Sequence, residues 1–165
     1  MKIFAPKETW PGETRVPLVP ETARKLVQAG AKLEIESGLG NSIGISDAAY
    51  TDAGASVGTD RASGQNHADM VIRLRPPTPD DINALKAGCI HVSYIDPFFN
   101  KECVEALAAK QVSTICMELI PRTTLAQKMD ALSSQASLAG YVAVIVAAER
   151  LPKAFPMMMT PAGTI

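Results

Sequence analysis

A chain of 165 residues, 47% hydrophobic and 20% charged, is long enough for one domain with its own core. Its formal net charge of -1 leaves no basic footprint for nucleic acid or an anionic membrane. Cys89, Cys103 and Cys116 form no CxxC pair, which suits reduced cytosolic thiols rather than a disulfide framework or a zinc site. Charge enters at Lys2, Lys7 and Glu8, too early for a signal peptide, and no unbroken apolar run reaches the roughly 18 residues of a membrane span. The expectation is a soluble cytoplasmic domain that calls for no metal.

Residues 2–5 read as a short apolar strand stopped by Pro6. Residues 7–20 form a loop with Pro11, Pro17 and Pro20, and irregular stretches of this length are uncommon unless they serve a site. Pro20 and Glu21 suit the first turn of a helix, Ala23, Leu26 and Val27 give it an apolar face, and Gly30 ends it. Residues 32–36 alternate as a strand does. In the glycine-rich residues 37–44, Gly38-Leu39-Gly40 is followed only by Gly44, which departs from the dinucleotide fingerprint and reads as a turn rather than a phosphate cradle. A short helix over 47–53, an extended piece at 55–57 and a helix or turn at 59–66 come next. Residues 69–75 read as a buried strand stopped by Pro76-Pro77, 79–86 as a helix and 89–94 as a strand. Residues 101–110 form an amphipathic helix with Val104, Leu107 and Ala108 inward, and 112–116 a buried strand.

Strands thus alternate with helices five times. That predicts an α/β fold: a three-layer, flavodoxin/Rossmann-like parallel sheet with helices on both faces. Ligands in such sheets sit at the carboxyl ends of strands. The loops after Ala5, Arg75, Tyr94 and Cys116 should therefore share one rim carrying Lys7, Arg15, Arg75, Tyr94, Arg122, Gln127 and Asp130.

Residues 121–135 place a guanidinium, an amide, a carboxylate and hydroxyls between a strand and an uncharged helix, and polar groups there mark a site. The helix over 135–150 is apolar all round, so it is buried or packs on something else. Residues 151–165 are rich in proline and methionine and promise no closing helix or strand. Residues 1–150 then make one lobe, and 151–165 a hinge toward another.

Three stretches carry a resemblance: Pro6-Lys7-Glu8 with Pro11-Gly12-Glu13-Thr14-Arg15-Val16; Arg122 with Gln127, Asp130 and Ser133; and Ala154-Phe155-Pro156-Met157-Met158-Met159-Thr160-Pro161-Ala162-Gly163-Thr164. Together they resemble the alanine dehydrogenase/pyridine nucleotide transhydrogenase family, and within it the N-terminal lobe of the NAD(H)-binding alpha subunit of the proton-translocating (rather than Si-specific) transhydrogenase. The resemblance implies that NAD(H) is the cofactor and that a Rossmann lobe with the glycine fingerprint, required to hold it, follows this segment. It implies an NADP-binding subunit, a membrane component and a second copy in a homodimer as partners, with no nucleic acid. It also implies that Arg122, Gln127, Asp130 and Ser133 position the nicotinamide. Gln127 and Ser133 offer donors and acceptors for a carboxamide, Asp130 can accept from its NH2 or hold Arg122, and Arg122 can fork onto a pyrophosphate or ribose oxygen or reach toward a partner's cofactor. The competing reading of the bare residues is an Arg122–Asp130 salt bridge with Gln127 on a helix surface.

Hydride transfer between two nicotinamides transfers no proton at the reacting carbon, so positioning by Arg122, Gln127 and Asp130 would be the whole of catalysis. Oxidative deamination of alanine needs an activated water. The alanine dehydrogenases of the family use a lysine and a histidine for this, and Arg75 and Tyr94 stand at the matching positions. Arginine stays protonated and cannot replace a titrating lysine. His91 should face away from Tyr94, and His67 should be solvent-exposed. Arg15 matches the arginine that holds substrate carboxylate there, so Arg15, Arg75 and Tyr94 are the expected remnant of a substrate-like pocket. An alanine dehydrogenase lobe and a non-catalytic dimerising remnant are the alternatives. The three cysteines are expected to be core thiols.

Overall fold

The computed structural model describes residues 1–153, 155, 157 and 159–164. The chain divides into two compact units, Met1–Leu119 and Ile120–Ile165. In the first, six strands run β1 (Lys2–Ala5), β2 (Lys32–Glu36), β3 (Ser56–Gly58), β4 (Met70–Ile72), β5 (Ile90–Ser93) and β6 (Ser113–Cys116). Five helices connect them: α1 (Pro20–Gln28), α2 (Asp47–Asp52), α3 (Arg61–His67), α4 (Pro79–Ala84) and α5 (Lys101–Ala109). All pairings are parallel and the strand order is β3-β2-β1-β4-β5-β6. The three-layer α/β architecture expected from the alternation is the observed one.

Strand alternation builds two cores. On β1, Ile3 and Ala5 join Leu33, Ile35, Ala23 and Tyr50 beneath α1 and α2. Phe4, between them in sequence, points to the opposite face and joins Val71, Ile82, Leu85, Cys103 and Leu107. Phe4 meets α3 at Gly64: a Cβ there would lie 2.4 Å from Phe4 Cε2, so only glycine lets this helix approach the sheet so closely. Tyr50 is fully buried, and its hydroxyl donates to the Leu18 carbonyl, tying the long loop after β1 to the core. Burial raises the thiol pKa of Cys89, Cys103 and Cys116. Cys89 and Cys103 are core thiols, as expected, while Cys116 is half-buried and packs against the same core. The glycine-rich segment after β2 is a turn, with Gly38 and Gly44 at positive φ and a 3-10 turn over Asn41–Ile43.

Several expectations are corrected. The buried strand expected at residues 112–116 is an edge strand paired only with β5. Its apolar Ile115, 45% exposed, points away from the face on which Cys116 packs. In α5 the inward residues are Cys103 and Leu107, whereas Val104 and Ala108 are exposed, because the helix lies on the sheet by one narrow edge. The strand expected over 69–75 is confined to Met70–Ile72. Arg73 leaves the ladder with β1, although its N–H still bonds the Val92 carbonyl.

The second unit contains α6 (Ala131–Arg150) and a two-residue antiparallel hairpin, β7 (Met159–Thr160) with β8 (Gly163–Thr164). That hairpin corrects the expectation of a tail without strands, since Gly163, at φ 123, lets the chain reverse. Ala154, Pro156, Met158 and Ile165 of the sequence motif lie outside the described residues. α6, expected to be buried or to pack on something else, has none of its residues buried. By length and composition it is also apolar enough to cross a membrane. Ser133, Ser134, Gln135 and Ser137 interrupt a count of consecutive apolar residues, but the apolar residues that follow them keep the average high. A helix that packs on protein passes the same test.

Candidate functional site

Reversal of strand order between β1 and β4 makes a topological switch point, and the loops leaving those two strands meet there. A buried charge network sets their positions. Thr78 and Asp81 form a reciprocal capping box at the start of α4, with Thr78 Oγ1 accepting from the Asp81 N–H at 3.2 Å and Asp81 Oδ2 from the Thr78 N–H at 3.0 Å. The same carboxylate accepts from Arg61 Nε at 2.8 Å, Gln65 Nε2 at 2.9 Å and an Arg73 terminal nitrogen at 2.5 Å. Burial alone would raise the Asp81 pKa. The Arg61 hydrogen bond and the Arg73 charge outweigh it and hold the carboxyl far below the usual range. Glu8 Oε1 accepts from the Leu74 N–H at 2.5 Å, which pins the loop after β1 to the loop after β4. His91 lies beneath this network, 1% exposed. Burial first, and then the Arg73 charge, lower its pKa to about 4 against a smaller opposing pull from Asp81. It is a neutral core histidine. His67, the last residue of α3, is exposed, as expected.

Above the network Glu13 gathers the two rim arginines. It accepts from Arg15 Nε and an Arg15 terminal nitrogen at 2.7 Å each, and from Arg75 Nε at 2.7 Å. The fork on Arg15 lowers the Glu13 pKa to about 2, against burial. Its share of stability is therefore complete above the unfolded value near 4.5 and disappears as pH falls toward 2. The Arg75 guanidinium carbon stands 5.6 Å from the centroid of the Trp10 ring. Arg15 and Arg75 thus come together as the sequence predicted. Glu13, which joins them, went unsingled, although two acids and two bases within one shared rim were the available signal.

Tyr94 lies next to Arg75, and both line a cavity of about 440 Å³ with Trp10, Asp96 and Glu118. Glu118 Oε1 accepts from the Ile95 N–H at 2.8 Å and from the Asp96 N–H, holding Asp96 at a positive φ of 54°. Its Oε2 is buried and has no partner among the described residues. Sequence reasoning missed Glu118, since it follows the edge strand with nothing distinctive around it. Lys7 is exposed, and its N–H donates to Glu36 at 2.8 Å.

Arg122, Gln127, Asp130 and Ser133 belong to the second unit. Asp130 is the N-cap of α6, its Oδ1 accepting from the Ser133 N–H at 2.9 Å. Hydrogen bonds from Ser133, and then the Arg122 charge, lower its pKa. An Arg122 terminal nitrogen donates to Ser133 Oγ at 3.1 Å, while its Nε stays 3.9 Å from Asp130 Oδ2. Gln127 sits in a 3-10 turn over Gln127–Met129, exposed, and its side chain has no partner among the described residues. Arg122, Asp130 and Ser133 therefore form one polar cluster at the start of an apolar helix, with Gln127 open beside it. The Arg122–Asp130 ion pair of the plainer reading exists, but it is long. Among the described residues no three His, Cys, Asp or Glu side chains group as metal ligands.

The strand order and the polar switch point define a doubly wound lobe of the Rossmann type whose first loop carries acids and arginines instead of the glycine fingerprint. Residues 4–139 match the family model for the alanine dehydrogenase/PNT N-terminal domain, so the chain belongs to that family. It is 42% identical to an NAD(P) transhydrogenase alpha-subunit protein of Rhodospirillum rubrum, over the whole of this chain and 44% of the relative. It is 30% identical to the alanine dehydrogenase of Halomonas elongata, over 93% of this chain and 41% of the relative. Among solved structures, transhydrogenase from Sinorhizobium meliloti matches with a TM-score of 0.90 and 42% identity, covering all of this chain and 47% of that one. An L-alanine dehydrogenase structure matches with a TM-score of 0.69 and 29% identity over 73% of this chain and 33% of its own. The chain spans less than half the length of these curated relatives.

Proposed function

We propose that this chain is the N-terminal lobe of the NAD(H)-binding component of a proton-translocating NAD(P) transhydrogenase. The observation that carries the reading is the hydrogen-bonded cluster of Arg122, Asp130 and Ser133 with Gln127 left open beside it. A carboxamide presents an acceptor and two donors, and Gln127 supplies both kinds of complement with its own amide. Ser133 and Asp130 are held in fixed positions by the helix cap, so they need no rearrangement to meet such a group. Arg122 has donors beyond those spent on Ser133, enough to take a phosphate or ribose oxygen. NAD(H), when bound, supplies the hydride-carrying nicotinamide. This chain's residues bind and orient it.

The lobe works with a Rossmann lobe that grips the pyrophosphate, an NADP-binding subunit, a membrane component and a second copy of itself, at the cytoplasmic surface of the membrane. Alone, it is inactive. Arg75, held by Glu13 at 2.7 Å, argues against alanine chemistry at this rim, because a permanently charged group stands where a titrating one would be needed. Gln127→Ala, made in an assembly that supplies the other components, tests the reading. Hydride transfer from NADH to an NADP analogue should fall at least about tenfold, of the order of 1.4 kcal/mol. An unchanged rate would remove Gln127 from the site.

A further inference from the structure

α4 and α5 lie side by side on one face of the sheet, and a cavity of about 900 Å³ opens between them within the first unit. That is a volume suited to a drug-sized ligand. Its wall is mainly apolar, with Ile82 and Ala106 on the two helices, and its charged residues are Arg73, Arg75, Lys110 and Glu102, with Arg73 paired to Asp81 and Arg75 to Glu13 behind the wall. These cations are not all spent. Arg75 uses Nε on Glu13, and its two terminal nitrogens have no partner among the described residues. Lys110 donates to the Asn83 carbonyl at 2.9 Å and pairs with no acid among the described residues. Arg73 is 4% exposed, and its Nε is buried without a partner even though Asp81 holds one of its terminal nitrogens.

We propose that this groove is a binding site for a small aromatic carboxylate. A neutral apolar molecule would fill the slot yet leave the open donor capacity of Arg75 and Lys110 unanswered. A carboxylate answers it and suits the planar fork of Arg75. An aromatic body suits the Trp10 ring, which is 53% exposed, forms one end of the wall and already carries Arg75 against it. The walls are set in advance. Asp81 fixes Arg73 and the start of α4 through the capping box, so binding need not order them.

Trp10 is the chain's one tryptophan, so a single indole N–H resonance reports on the groove. The 15N-labelled chain is titrated with biphenyl-4-carboxylate and with its neutral carboxamide. The site predicts a saturable shift of the indole peak with the carboxylate and at least about tenfold weaker binding of the carboxamide. Arg75→Gln should weaken the carboxylate at least about tenfold, and Ala106→Phe, which fills the groove from an exposed helix position, should abolish the shift. Lys110→Glu, on the surface, reverses one charge and should weaken binding severalfold should the filling variant not fold. No saturable shift, equal binding of acid and amide, or wild-type titration in folded Ala106→Phe would each overturn the proposal, as would wild-type affinity in Lys110→Glu.

Discussion

At the scale of single residues, partners decide what each polar side chain can do. Glu13, Asp81 and Glu8 are committed to arginines or backbone N–H groups, which makes them scaffolding, whereas Gln127 is exposed and uncommitted. His91 shows the difference by its titration. Its folded pKa of about 4 lies below the ordinary 6.5, so below 6.5 the unfolded chain binds more protons than the folded one. Stability should therefore fall as pH drops from 6.5 toward 4, by up to about 3 kcal/mol from this group. His91→Gln should flatten the thermal-melting profile between pH 6.5 and 4.5, whatever its effect at neutral pH. A wild-type slope in that variant would show that His91 is not buried neutral. In the sequence, Arg15, Arg75 and Tyr94 could be placed on one rim because loops after parallel strands must meet there. Their pairing through Glu13 could not, since a short acid in a long loop carries no periodic signal. For the same reason Asp81 was not singled out, while the structure makes it the centre of a five-residue network.

At the scale of elements, α/β alternation was legible because strands and helices are punctuated by Pro6, Gly30, Gly54 and Pro76-Pro77. Exposure was not. An apolar strand at a sheet edge and an apolar helix without a covering neighbour look the same in sequence as buried ones, which is why β6 and α6 came out more exposed than expected. Gly64 was invisible too, since a glycine inside a short helix reads as a weak helix former. Its role is contact with Phe4, whose ring atoms lie 2.4 to 2.7 Å from where a Cβ would stand. Gly64→Ala should destabilise the chain by about 1–3 kcal/mol, overpacking exceeding the helix-propensity gain of roughly 1 kcal/mol. Denaturant unfolding checks this, and a stabilised variant would mean that α3 can move off the sheet without cost.

At the scale of the molecule, the proposed function makes this a lobe that orients one end of a dinucleotide and depends on other components for the rest. The loop after β1 carries Glu8 and Glu13, paired with Arg73, Arg15 and Arg75, where a phosphate-binding loop would carry glycines, so the close backbone approach that a glycine fingerprint gives a pyrophosphate is missing from this loop. Isothermal titration of the chain with NADH should accordingly give binding too weak to saturate at millimolar concentrations, and micromolar affinity would show that the lobe grips the cofactor unaided. Sequence motifs pointed to the proposed site because Arg122, Gln127, Asp130 and Ser133 stand at a recognisable spacing, but they could not show that Asp130 caps α6. The most direct measurement joins the chain to a Rossmann lobe and an NADP-binding subunit and follows two reactions side by side. A transhydrogenase lobe should give hydride transfer from NADH to an NADP analogue and no alanine-dependent formation of NADH. Alanine-dependent NADH without hydride transfer between nucleotides would contradict that assignment.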